Sequence, residues 1–214
     1  AASESRPFPP RVTATLVAFL ERMAPFVPFR YRLLFRNPVL TAPILKRLLS
    51  RTPLLDAMQR TTTAATMPYG SSGENMLPER AGAVLNIRIL PGSSVAATMQ
   101  RLGQLARRCG VRVEFAHHGR AVDPMAESSP EHAGYYAVER AINTVFPEAG
   151  VVPFMFMAGT DSKHYAQLAD AVYRFVAVVQ TPDDLARVHS TNERLSVVNV
   201  RRCCNFFRTL ISEL

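Results

Sequence analysis

Four groups of residues in this chain combine types that do chemistry. Gly159-Thr160-Asp161-Ser162 follows the apolar run 151–157 and precedes a helical stretch. A strand-to-helix turn of that kind presents free backbone N–H groups and a helix dipole, a setting that favours an anion. The same residue types also serve as ordinary helix caps. His189, inside Val188-His189-Ser190-Thr191-Asn192-Glu193-Arg194, can ligate a metal or move a proton near neutrality, or be structural. Asn75 and Arg88 lie thirteen residues apart. An amide beside a planar guanidinium suits a carboxylate, while a strand arginine can also be merely solvated. The last group, His117, His118, Asp123, Glu127 and His132, gathers metal-ligand types in a Pro/Gly/Ser linker. It has no i, i+4 histidine pair, and a linker lacks the fixed geometry a metal site needs.

These residues need elements to position them. Val12, Leu16, Phe19, Leu20 and Met23 recur at three and four residues, which predicts a helix over 11–24 entered after Pro9-Pro10. Pro25, Pro28, Pro38, Pro43 and Pro53 break 25–60 into short helical pieces. Thr61 to Met67 and Ala81 to Leu90 read as strands; in the second, Ala83, Leu85, Ile87 and Ile89 share one face, Asn86 and Arg88 the other. After the turn at Pro91-Gly92, Ser93 or Ser94 caps a helix that closes at Gly110, and Val111 to Phe115 is a further strand. The result is a small α/β sandwich.

Beyond the linker at 116–130, Ser129 as cap, Pro130 and Glu131 start a helix to about Val145. Val151 to Met157 and Ala171 to Val179 read as strands. Thr181-Pro182-Asp183-Asp184 opens a short helix ending near His189. Ser196 to Leu214 is a helix with Val197, Val200, Cys204, Phe207, Ile211 and Leu214 inward. Strands alternating with helices predict a mostly parallel sheet.

Composition excludes several classes. With 214 residues and 48% hydrophobic side chains the chain is not disordered and can build a sizeable core. No apolar run approaches the ~20 residues of a spanning helix, and the first ten residues lack a signal-peptide layout. Three cysteines, two of them adjacent, make a poor disulfide framework and favour a reducing, cytoplasmic compartment. The net charge of +8 is local: residues 1–60 hold ten basic and three acidic side chains, residues 61–214 fifteen and fourteen. Residues 26–60 interleave Phe26, Phe29, Tyr31, Leu33, Leu34 and Phe35 with Arg30, Arg32 and Arg36, then Lys46, Arg47 and Arg51. Such a stretch can rest on a membrane or an anionic partner, or pack its apolar side and leave its arginines in water. No nucleic-acid fold motif is present, so nucleic acid is not the expected partner.

Two segments carry a family resemblance. TAATMPYGSSGENMLPERAGAVLNIRILPG (63–92) resembles the lid, or dimerisation, domain of the M20 metallopeptidases. GTDSKHYAQLADAVYRFVAVVQTPDDLARVHSTNERLSV (159–197) resembles the carboxyl end of that family's catalytic domain. The match is closest to the Gly-X carboxypeptidase and N-acyl-amino-acid hydrolase branch, whose members show similar GTDSRHY and RIHGTNERI segments. The resemblance implies an α/β fold with a ferredoxin-like α+β lid over 1–120, which carries the basic helical insertion at about 25–60. Residues 121–214 are then the distal part of a mostly parallel α/β zinc-hydrolase domain.

It also implies a reaction, hydrolysis of the amide bond next to a free carboxylate, on a peptide or an N-acyl amino acid. His189 would ligate one of two zinc ions; Asn75 and Arg88 would bind the carboxylate and oxyanion; Gly159, Thr160, Asp161 and Ser162 would grip the carboxylate. The lid would pair two subunits, and vacuolar or secreted members widen the choice of compartment. The family's other zinc ligands and its base come from a His-x-Asp and a Glu-Glu pair, and this chain has neither. The expectation is therefore a carboxyl-terminal portion, inactive alone, with at most one zinc ligand. The alternative is a non-enzymatic basic module working through residues 26–60.

Overall fold

The computed structural model describes residues 7–116, 121–156 and 159–213. The chain divides into two compact units, Ala1–Glu127 and Ser128–Leu214.

In the first unit, α1 (Ala14–Met23) begins where the Thr13 hydroxyl accepts a hydrogen bond from the Leu16 N–H at 3.2 Å. Its apolar spacing turns Leu16, Phe19 and Leu20 inward. A single 3-10 turn, Ala24–Phe26, leads to α2 (Phe29–Arg36), α3 (Ala42–Leu49) and α4 (Pro53–Ala57). Three of the prolines that fragment this region sit at helix starts, where a missing N–H costs nothing: Pro28 caps α2, Pro43 lies in the first turn of α3 and Pro53 opens α4. Leu45 and Leu49 of α3 are buried, as are Leu16, Leu20, Met58 and Leu90.

A polar knot closes this helical layer. The Asp56 carboxylate accepts from Ser50 Oγ at 2.7 Å, Gln59 Nε2 at 3.1 Å and Arg60 Nε at 2.9 Å. Arg60 also donates to the Phe8 carbonyl at 3.1 Å, and the Arg11 N–H to the Gln59 carbonyl at 2.6 Å. Two further donations tie the amino-terminal stretch down, Arg11 to the Gly92 carbonyl and Arg101 to the Pro7 carbonyl.

β1 (Thr62–Tyr69) pairs antiparallel with β2 (Gly82–Arg88), in the register Thr62↔Arg88 to Tyr69↔Gly82 with a bulge between Ala65 and Met67. The Tyr69 ring lies over Gly82, so a side chain there would make that exposed ring swing aside. The chain turns at Gly92 (φ 78°) into α5 (Val95–Arg107), capped by Ser94 and ended at Gly110 (φ 67°).

The second unit is built on α6 (Ala133–Val145) and α8 (Val197–Ser212), which pack on each other. Between the helices, Ala141, Ile142, Phe146, Ala177 and Phe206 form the core, with Cys203 and Leu210 against it. The short α7 (Pro182–Arg187) starts in a reciprocal capping box between Thr181 and Asp184.

Three expectations need correction. The antiparallel ladder β1–β2 is the only one among the described residues, so the α+β character holds and the expected mostly parallel sheet is not formed among them. Residues 111–115, 151–156 and 171–180 run without strand partners. In 171–180, side chains stand in for a neighbouring strand: Ser128 Oγ bonds both backbone groups of Val172, and the Asn199 amide both of Val179. Secondly, α6 starts at Ala133 rather than after Ser129, because His132 Nδ1 accepts from the Gly134 N–H at 3.0 Å and takes the capping position. Thirdly, the buried face of α8 is Cys203, Phe206 and Leu210. The stripe expected inward (Val197, Val200, Cys204, Phe207, Ile211) is exposed, with Leu214 outside the described residues. That helix is apolar on two sides, so periodicity alone could not choose between them. Within the basic insertion, Arg32 donates to the Pro25 carbonyl at 3.2 Å.

Candidate functional site

In the first unit, Asn75 lies in the exposed connection between β1 and β2, and Arg88 is the last residue of β2. The connection is shaped by Ser71, whose Oγ lies 2.6 Å from the carbonyl oxygens of both Gly73 and Met76 and accepts from the Gly73 N–H. A hydroxyl thus does what backbone pairing would do in a tighter turn. Arg88 sits opposite Thr62 and is exposed, with no ion pair among the described residues. Its five donors are available to a carboxylate.

In the second unit, Gly159-Thr160-Asp161-Ser162 forms the entry to a 3-10 turn, Asp161–His164. Thr160 is extended (φ −143°) and its hydroxyl accepts from the Ser162 N–H at 3.3 Å. So the capping reading of this motif is realised. Gly159 faces open space, which leaves room for a ligand to approach its backbone. Arg174 brings a cation to the turn, its Nε donating to Ser162 Oγ at 2.7 Å. Sequence reasoning missed both Ser71 and Arg174. A lone arginine inside the apolar run Ala171–Val179 was the signal that could have found the second.

His189 follows the end of α7 and is exposed, with its backbone in the left-handed region at φ 59°. Asn192 shares that conformation at φ 64°. Two such residues within four make a tightly folded loop, at a cost of about 1–3 kcal/mol each. The Glu193 carboxylate accepts from the His189 N–H at 3.3 Å and helps to hold it.

The linker cluster has other uses. Asp123 accepts from the Val95 N–H at the start of α5, Glu127 from the Thr15 N–H at the start of α1, and His132 caps α6. Each satisfies an orphan donor at a positive helix end. His117 and His118 lie outside the described residues. Among the described residues no three His, Cys, Asp or Glu side chains converge in a way that could hold a metal ion. A zinc site takes three or four protein ligands, so the His189 imidazole could serve only as one ligand among several.

Curated proteins resemble this chain over most of its length. A probable carboxypeptidase S-like protein of Dictyostelium discoideum is 34% identical over 181 residues, which is 85% of this chain and 34% of that protein. An N-fatty-acyl-amino acid synthase/hydrolase of Homo sapiens is 32% identical over 86% of this chain and 37% of its own length. Carboxypeptidase S of Saccharomyces cerevisiae is 27% identical over 67% of this chain. The chain therefore spans about a third of the length of the curated relatives it matches. No family model and no solved structure matches it.

Proposed function

The chain belongs to the M20 peptidase family, and from that premise we propose that it is the lid and distal catalytic portion of a zinc-dependent hydrolase. The bond cleaved is the amide next to a free carboxylate, in a peptide or an N-acyl amino acid. The observation that carries this reading is the identity with carboxypeptidase S-like and acyl-amino-acid hydrolase proteins over about 85% of the chain.

In this reading Arg88 pairs with the substrate carboxylate through its planar fork, and Asn75 donates to the same group or to the oxygen that gains charge during attack. Within the second unit, the turn at Gly159, Thr160, Asp161 and Ser162 is the carboxylate-gripping element, with Arg174 Nε donating to Ser162 Oγ. His189 is the one zinc ligand this portion contributes. The remaining ligands and the general base lie in the part of the relatives' length that this chain does not span. A homodimer through the lid is part of the same proposal.

In the full-length protein, His189→Ala is expected to remove most hydrolysis with the circular dichroism spectrum unchanged. His189→Asn is the companion variant, because asparagine tolerates the left-handed backbone. Near-normal turnover in both overturns the ligand assignment. Arg88→Ala is expected to lower kcat/KM about 10- to 100-fold, the worth of a charge-assisted hydrogen bond. Zinc titrated calorimetrically into the isolated chain is expected to find no pair of tight sites, and two such sites would overturn the portion reading.

A further inference from the structure

Between Glu21 and Asp56 the chain holds seven cations and no acid. Over the same stretch large apolar side chains stand in water. On α2, Phe29 is 86% and Leu33 71% exposed, one helical turn apart. Between α2 and α3, Val39 and Leu40 are 71% and 82% exposed. Ile44 begins the outer face of α3, and Arg47 and Arg51 follow at three and four residues.

Along α3 lies an open depression of about 470 Å³ lined by Pro10, Pro43, Lys46, Arg47, Ser50 and Arg51. Lys46, Arg47 and Arg51 have no carboxylate partner among the described residues. Helix dipoles account for part of this basicity, since Arg36 and Lys46–Arg47 end α2 and α3. They give no reason for a phenylalanine and four aliphatic side chains to stand in water beside it.

We infer that α2, α3 and the turn between them form a surface that docks on an anionic phospholipid bilayer. Phe29, Leu33 and Leu40 enter the headgroup–acyl boundary, and the Lys46–Arg47–Arg51 depression takes a lipid phosphate. An interfacial element combines these parts: apolar side chains that reach the acyl region and cations that meet the negative surface potential. An RNA or DNA backbone would use the cations and leave the aliphatic side chains exposed, so the membrane accounts for more of what is seen. Arg32, held against Pro25, is outside the docking set. No described helix is long and apolar enough to cross a membrane, so the contact is with the surface. This docking stands apart from the hydrolase reading, since it uses none of Asn75, Arg88, Gly159–Ser162 or His189.

The test is co-sedimentation of the whole chain with phosphatidylcholine vesicles, with and without phosphatidylserine. Binding is expected only with the anionic lipid. The triple variant Lys46→Gln, Arg47→Gln, Arg51→Gln is expected to weaken it about a hundredfold. Phe29→Ser with Leu33→Ser is expected to abolish the part that survives high salt. The chain has no tryptophan, so Leu33→Trp supplies a single reporter, whose emission is expected to shift to the blue on anionic vesicles. Equal binding to neutral vesicles, an unshifted reporter, unaffected triple variant, or displacement by a single-stranded oligonucleotide would each overturn the inference.

Discussion

The two units differ in how they satisfy their own apolar residues. The first covers Leu16, Leu20, Leu45, Leu49 and Met58 with four short helices, and pins that layer with the buried Asp56–Arg60 knot. The second has a core cluster of Ala141, Ile142, Phe146, Ala177 and Phe206 at α6 and α8, and extended segments that rely on Ser128 and Asn199 for backbone partners. On the outer face of α8, Val197 is 75% and Ile211 70% exposed. A helix apolar on two sides is a helix made to be covered twice. Both units leave apolar side chains in water, the first on α2 and the turn after it, the second on the outer face of α8; the contrast lies in how each core is pinned.

The most damaging single change to the first unit is expected at Asp56. Asp56→Ala leaves the buried Arg60 guanidinium without its carboxylate, at about 3–5 kcal/mol by chemical denaturation. Loss below about 1 kcal/mol would mean the first unit is held no more firmly than the second. The same group gives this unit a pH signature. Burial pushes the Asp56 carboxyl up, but hydrogen bonds from Ser50 and Gln59 and the Arg60 charge outweigh it and hold the group below its usual range. Its contribution is therefore complete above the unfolded carboxylate value, near ~4, and is lost as pH falls through the lower folded value. Asp56→Asn should flatten the acid limb of the stability profile in that window.

In the second unit the informative experiment is a pair. Phe206→Ala removes a core ring and is expected to cost about 3–5 kcal/mol, read by hydrogen exchange of α6 and α8. Phe207→Ala, one residue on and 46% exposed, should stay within about 0.5 kcal/mol. Equal costs would show that the outer face of α8 is already covered and would erase the contrast. Smaller again, and alike in the two units, are the caps: Thr13→Ala and Ser196→Ala should each cost about 1 kcal/mol. A large difference between them would mean that cap strength, not core closure, separates the units.

Local devices were readable in the sequence and non-local ones were not. Thr181 with Asp184, Ser94, Ser196, Gly92 and Gly110 all stand where residue type demanded, because caps and turns depend on the nearest four residues. The paired strands around Gly82 were visible in their alternation. Val151 to Met157 and Ala171 to Val179 have the composition of strands, but a ladder depends on a neighbour that composition does not specify; Met157 lies outside the described residues. Both faces of α8 carry apolar residues, so its sequence alone does not single out the buried one. His189, Asn75, Arg88 and the Gly159–Ser162 turn were singled out by type and motif, whereas Arg174 and Ser71 act through contacts that only the folded chain displays.

The amino-terminal stretch has a consequence for synthesis. Residues 7–11 are fastened to Gln59 and Arg60, to Gly92 and to Arg101, partners 48 to 94 positions away. A nascent chain leaving the ribosome can form α1 to α3 early, since their contacts are local. It cannot lock the knot until residue 60 emerges, or fasten Pro7 until residue 101 does. For that interval Phe29, Leu33 and the other exposed apolar side chains sit on an incompletely fastened layer. Vectorial folding of this region should therefore be slow relative to its helical content, and a chaperone or an anionic surface that occupied those side chains would act on it then.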